Sequence, residues 1–116
     1  MVKNLSTEPE KIRGIRLQNI SFDLYRGEIL GIAGLLGAGK TELGKALIGV
    51  EKIVSGEIYI EGKRAQIKNP SDALRHSIYY LPESRRIEGL VLLLTIRENI
   101  ILSSIDRLAK PLGLRN

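Results

Sequence analysis

The sequence predicts an α/β layer with an antiparallel patch beside it, and three observations predict it. Residues 28–33 form a short apolar run with glycine on both sides, the pattern of a strand buried on both faces. Seven of the twelve glycines fall between Gly27 and Gly49, interleaved with apolar residues rather than spread as in a linker, and a helical pattern follows them. Further on, residues 57–61 alternate polar and apolar side chains, Gly62 supplies a turn, and residues 64–67 return.

Each element has its own local cause. Residues 2–5 read as the stub of a strand, and the polar stretch after them is broken by Pro9. Ile15 and Leu17 alternate with polar neighbours. The alternation resumes one place out of step at Ile20, Phe22 and Leu24, which puts a turn or bulge at Gln18 and Asn19. After the strand at 28–33 and its glycines, Leu43, Ala46, Leu47 and Val50 recur at helical spacing, with Gly49 placed to end the helix. Asn69, Pro70 and Asp72 supply an N-cap, a proline at the first helical position and a first-turn acid, so a short helix runs to about His76. Residues 78–81 read as another short strand, stopped by Pro82. Thr95 and Glu98 fit a capping box, with Ile96, Ile100 and Ile101 on one face of the helix that follows.

Composition bounds the function. The chain has 116 residues, 43% of them apolar and 27% charged, which suits one modest core and excludes an intrinsically disordered chain. The apolar run at 90–94 is far too short to cross a bilayer, and the N-terminus does not read as a signal peptide. Cysteine is absent, which removes disulfides and thiolate metal sites, and a lone His76 without a carboxylate cluster offers no metal centre. A net charge of +5 permits an anionic partner. Nucleic acid is disfavoured, because the basic residues are scattered and only Lys63-Arg64 and Arg85-Arg86 are adjacent pairs, with no interleaved aromatic platform.

The chemistry lies in Gly34-Leu35-Leu36-Gly37-Ala38-Gly39-Lys40-Thr41, which satisfies G-x-x-x-x-G-K-[ST]. A phosphate chain needs several backbone N–H groups turned inward, and Cβ atoms would obstruct that curl, hence Gly34, Gly37 and Gly39. The helix that starts near Gly39 aims unpaired N–H groups and a partial positive charge at the same anion. Lys40 can reach the β- and γ-phosphates, and the Thr41 hydroxyl can ligate Mg²⁺. At average residue usage this pattern arises by chance in roughly a few of every thousand chains of this length. Its required context, a strand before and an amphipathic helix after, is also predicted, so phosphate binding outweighs a ligand-free glycine turn.

The flanks resemble a family. Residues 20–28 resemble the lead-in of ABC-transporter ATPase cassettes, Ser55-Gly56-Glu57-Ile58 the strand after their P-loop helix, and Thr95-Ile96-Arg97-Glu98-Asn99-Ile100 their T-x-x-E-N helix start. The loop followed by Glu42 and Leu43, and the stretch Tyr80-Leu81-Pro82-Glu83-Ser84-Arg85-Arg86-Ile87-Glu88-Gly89-Leu90-Val91, resemble the second, C-terminal cassette of ribose/galactose/xylose-type sugar importer ATPases. Ser84 stands there in place of the usual Asp. The resemblance covers residues from about 2 to 102.

It implies a partial P-loop NTPase (ABC ATPase) core with a flanking antiparallel β-subdomain, residues 1–116 forming a single partial domain from P-loop to Q-loop region. It implies phosphate-facing amides at Gly34, Gly37, Ala38, Gly39, Lys40, Thr41 and Glu42, ATP and Mg²⁺ as ligands, and Mg²⁺ contacts from Thr41 and Glu83. Glu83 occupies the position of the usual Q-loop glutamine; a solvated loop acid is the competing reading. Arg85 and Arg86 are either solvated surface or a dock for acidic groups of a transmembrane subunit, and 90–94 is core or exposed interface. No aromatic residue stands in 11–16 to stack adenine, which leaves Ile12 or another apolar side chain. The family's signature loop, Walker B acids and switch histidine lie further on in such cassettes and are not among these residues; His76 is expected at the surface. No catalytic residue is therefore assigned, and binding without turnover is expected, with open sheet edges. The parent would be a cytoplasmic ATP hydrolase, peripheral on the membrane's inner face through permease subunits. It would work with a second ATP-binding cassette and, indirectly, a sugar-binding protein, to power carbohydrate uptake. Two readings compete: a stand-alone P-loop nucleotide-binding or regulatory protein, and a nucleic-acid-associated ATPase.

Overall fold

The computed structural model describes residues 1–9 and 15–105. Two compact units divide the chain, Met1–Tyr80 and Leu81–Asn116. In the first unit β1 (Val2–Thr7), β2 (Ile20–Phe22), β3 (Ile53–Ile60) and β4 (Lys63–Ala65) form one sheet in the order β2-β1-β3-β4, every neighbouring pair antiparallel. Helices α1 (Lys40–Leu47) and α2 (Pro70–Arg75) complete that unit.

The core explains the arrangement. Val2, Leu5 and Ile58 on the sheet cluster with Leu17 and with Leu43 and Ala46 of α1, so the helix buries its apolar stripe against the central strands. Leu5 and Ala46 are fully buried. The chain leaving β1 is tied down by paired bonds: the Thr7 N–H donates to the Leu17 carbonyl at 3.2 Å, and the Leu17 N–H donates to Thr7 Oγ1 at 3.2 Å. These satisfy a buried hydroxyl that would otherwise cost stability. Asn19 lies at φ +51° between Leu17 and β2, the turn expected from the slip in alternation.

The hairpin also follows its sequence. Glu61 and Gly62 both have positive φ, the primed-turn geometry whose twist matches the flanking strands, and Ile60 pairs with Lys63. Across its face the Tyr59 hydroxyl donates to Glu57 Oε2 at 2.7 Å, and that bond raises the Tyr59 pKa. Helix α2 is capped as read, the Asp72 N–H donating to Asn69 Oδ1 at 2.9 Å. His76 follows as its C-cap and is exposed.

Three expectations are corrected. Residues 28–33 are not a strand: they join no ladder, and Ile29 is 97% exposed. A run buried on both faces needs a strand on each side and a layer above and below, and no described strand flanks it. The described sheet is therefore wholly antiparallel, and α1 packs on that sheet instead of on a parallel core. Residues 78–81 likewise pair with nothing; the Ile78 N–H instead donates to the Ala73 carbonyl at 2.9 Å and closes the end of α2. Val50 lies past the end of α1 and is exposed, because the chain has already turned at Gly49.

In the second unit, Ser84 caps a π-helical turn at Arg85–Gly89 that the sequence reading did not foresee. Helix α3 (Ile96–Ile101) starts with the expected reciprocal box: the Glu98 N–H donates to Thr95 Oγ1, and Glu98 Oε2 accepts from the Thr95 N–H at 2.8 Å. Asn99 anchors the preceding loop, its Oδ1 accepting from the Val91 N–H and its Nδ2 donating to the Val91, Leu94 and Thr95 carbonyls. The 90–94 run is largely exposed, Leu93 almost completely. Among the described residues no helix is long and apolar enough to cross a membrane.

Replacing Leu5 by alanine removes the centre of the cluster and is expected to cost about 2–5 kcal/mol, read as a lower urea midpoint. Glu98 has its pKa lowered, first by the Thr95 backbone N–H and then by the Thr95 hydroxyl. A lowered carboxyl stabilises above its unfolded pKa and loses that stabilisation as pH falls through the folded one. The Glu98 carboxyl followed by NMR should therefore titrate below 4.5, and Thr95→Ala should move its midpoint upward.

Candidate phosphate-binding loop

The loop from Gly34 to Gly39 is shaped by its glycines. Gly37 takes φ +80° within a turn closed by the Ala38 N–H donating to the Leu35 carbonyl at 3.1 Å. Gly39 takes φ +88° as the N-cap of α1, a left-handed residue where a side chain is strained. A Cβ at Gly39 would also stand 2.9 Å from Leu17 Cδ2, so this glycine seats the helix start against the core. A Cβ at Gly34 would meet Ala38 Cβ at 3.0 Å and crowd the space that the Lys40 side chain occupies.

From Gly39 the chain enters α1, whose first intrahelical bond is the Leu43 N–H to the Gly39 carbonyl at 2.9 Å. The N–H groups of Lys40, Thr41 and Glu42 precede that bond and have no carbonyl within the helix. Gly39 provides no side chain to cap them. Unpaired N–H groups and the positive end of the helix dipole so face the loop together.

Side chains divide the remaining work. Lys40 is exposed and folds over the loop, its Nζ donating to the Gly34 carbonyl at 2.6 Å and the Leu35 carbonyl at 2.8 Å. Thr41 is half-buried on the first turn. The Glu42 side chain belongs to a residue only 7% exposed, so this position has its N–H to offer and its acid completes the favourable charge at the helix start. The structure thus brings Gly34, Gly37, Ala38, Gly39, Lys40, Thr41 and Glu42 into one loop and helix start. Glu83 belongs to the second unit, exposed between Pro82 and Ser84, and is not part of this loop. Ile12, expected near adenine, lies outside the described residues.

This arrangement defines a class: a glycine loop at a helix N-terminus with a lysine across its mouth, suited to an anion with several oxygens. The comparisons narrow it. The ABC transporter family matches residues 17–116, and the chain belongs to that family. It is 50% identical over 111 residues to a xylose import ATP-binding protein of Thermoanaerobacter pseudethanolicus, covering 94% of this chain and 22% of that protein. It is 47% identical over 93 residues to a ribose import ATP-binding protein of Lacticaseibacillus paracasei, covering 80% of this chain and 19% of the relative. A galactose/methyl galactoside import ATP-binding protein of Photobacterium profundum is 50% identical over 105 residues, 90% of this chain and 20% of its own. The chain spans about a fifth of the length of these curated relatives. No solved structure gave a significant match.

Gly39→Ala is expected to destabilise the chain by about 1–2 kcal/mol, the cost of a side chain in the left-handed region, read from urea denaturation.

Proposed function

We propose that the chain is the N-terminal part of the second nucleotide-binding cassette of a sugar importer ATPase, and that it binds MgATP through residues 34–42. The observation that carries this reading is the left-handed Gly37 and Gly39 opening α1 beneath the Lys40 ammonium. It is supported by family membership and by relatives whose names speak of importing xylose, ribose and galactose.

The residues fit the ligand. The amides of Gly37 to Glu42 would line the β- and γ-phosphates, where unpaired helix N–H groups already need acceptors. Lys40 would give its ammonium to the same oxygens, exchanging neutral carbonyl partners for charged ones, and charge-assisted bonds are the stronger kind. The Thr41 hydroxyl would take one Mg²⁺ position. The described residues hold no group of three or more acids and histidines that could hold a metal by itself. Mg²⁺ would neutralise the phosphate oxygens.

Hydrolysis is assigned to the parent polypeptide, since the attacking water needs a positioning group and charge stabilisation that residues 34–42 do not supply. The parent would lie at the cytoplasmic face of a membrane through permease subunits, pair with a second cassette, and act on sugar delivered by a binding protein.

Calorimetric titration with MgATP tests the reading. The wild-type chain should bind, and Lys40→Ala should weaken affinity by about tenfold or more, the worth of a hydrogen bond between charged groups. Equal heats from both proteins would remove the loop from the account, and sustained ATP hydrolysis by the chain alone would overturn the assignment of turnover to the parent.

A further inference from the structure

Helix α1 contains a glycine that its own regularity does not explain. Gly44 lies in the middle of Lys40–Leu47, where glycine is the poorest helix former after proline. Its backbone is helical, so no left-handed turn demands it. What demands it is Tyr80. A Cβ at Gly44 would lie 2.8 Å from Tyr80 Cε2 and 3.2 Å from Cδ2, closer than ordinary carbon contacts allow. The ring therefore rests on the bare helix backbone, and Tyr80 is half-buried.

The position of that contact on the helix matters. Gly44 is one turn beyond Lys40 and Thr41, on their side of the cylinder. Leu43 and Ala46 face the sheet, and Gly44 is displaced from Leu43 by roughly 100° around the axis. A short helix held along one stripe can still roll about that stripe. A second contact at another azimuth stops the roll, and the roll angle decides where the N–H groups of residues 40–42 point.

We propose that Tyr80, seated on Gly44, is a positioning residue for nucleotide binding: it sets the orientation of α1 and so the aim of the N–H groups at its start. This rests on the reading of residues 34–42 as a phosphate site and adds the element that aligns it. Tyr80 touches no phosphate in this account and acts only through the helix.

MgATP calorimetry on the full chain, paired with urea denaturation, tests the proposal with four variants. Tyr80→Ala should weaken affinity by about fivefold, within the coupling found for residues in contact. Tyr80→Phe keeps the ring and should bind as wild type. Gly44→Ala should weaken affinity by a similar factor through displacement of the ring, yet hold or raise the urea midpoint because alanine favours helix. The double variant Gly44→Ala/Tyr80→Ala should bind no more weakly than Tyr80→Ala alone. The proposal is overturned if the single losses add in the double variant, if Tyr80→Phe falls as far as Tyr80→Ala, or if affinity and urea midpoint fall together in Gly44→Ala. It is also overturned if all four variants bind as wild type. A wild-type chain that titrates no better than Lys40→Ala would instead bring down the phosphate reading itself, and this proposal with it.

Discussion

An α-helix cannot pair its first N–H groups within itself, and the rest of this chain is organised around where those of α1 point. In most helices a side chain at the N-cap takes up one of them. Here the N-cap is Gly39, left-handed and without a side chain, so the donors stay turned toward the loop. That choice has a structural cost, because a bare helix start is less stable than a capped one. It is offset by seating: Gly39 lies against Leu17, while Leu43 and Ala46 sink into the cluster built on Val2, Leu5 and Ile58. The antiparallel sheet is the platform that makes an uncapped helix start tolerable.

The ammonium of Lys40 belongs to the same constraint. A cation beside several unpaired N–H groups needs acceptors, and the Lys40 side chain finds two in the loop carbonyls of Gly34 and Leu35. The ammonium is thus satisfied within the loop, while the N–H groups at the start of α1 are not. The loop lies within residues 17–116, the stretch that matches the ABC transporter family.

Much of this was legible in the residues themselves. The turn at Gly62, the Asn69 cap and the Thr95–Glu98 box depend on side chains within a few positions of one another, and these formed as read, whereas the strand expected ahead of the glycine loop did not. Residues 28–33 and 78–81 show the other side. Their apolar runs express a preference for burial, but a strand exists only when another strand hydrogen-bonds to it, and pairing is a property of distant residues. The π-helical turn at Arg85–Gly89 escaped because it carries no periodicity of its own and is held by the Ser84 cap. Ile96 and Ile100 of α3 are exposed while Ile101 is half-buried, and no local signal shows which apolar side chains of a helix will be covered.

What the sequence determined alone, then, was chemistry at short range: which turns could form, where helices begin, and that one loop carries the glycines and lysine of a G-x-x-x-x-G-K-[ST] pattern. The tertiary structure decided which apolar residues are enclosed, that α1 lies on an antiparallel sheet, and that Gly44 is occupied by the ring of Tyr80, thirty-six positions further on. The reason is one of range. Hydrogen-bonded turns and caps close over a few residues at little entropic cost, whereas burial and close packing require surfaces brought together from far along the chain, and only the folded molecule settles which surfaces those are.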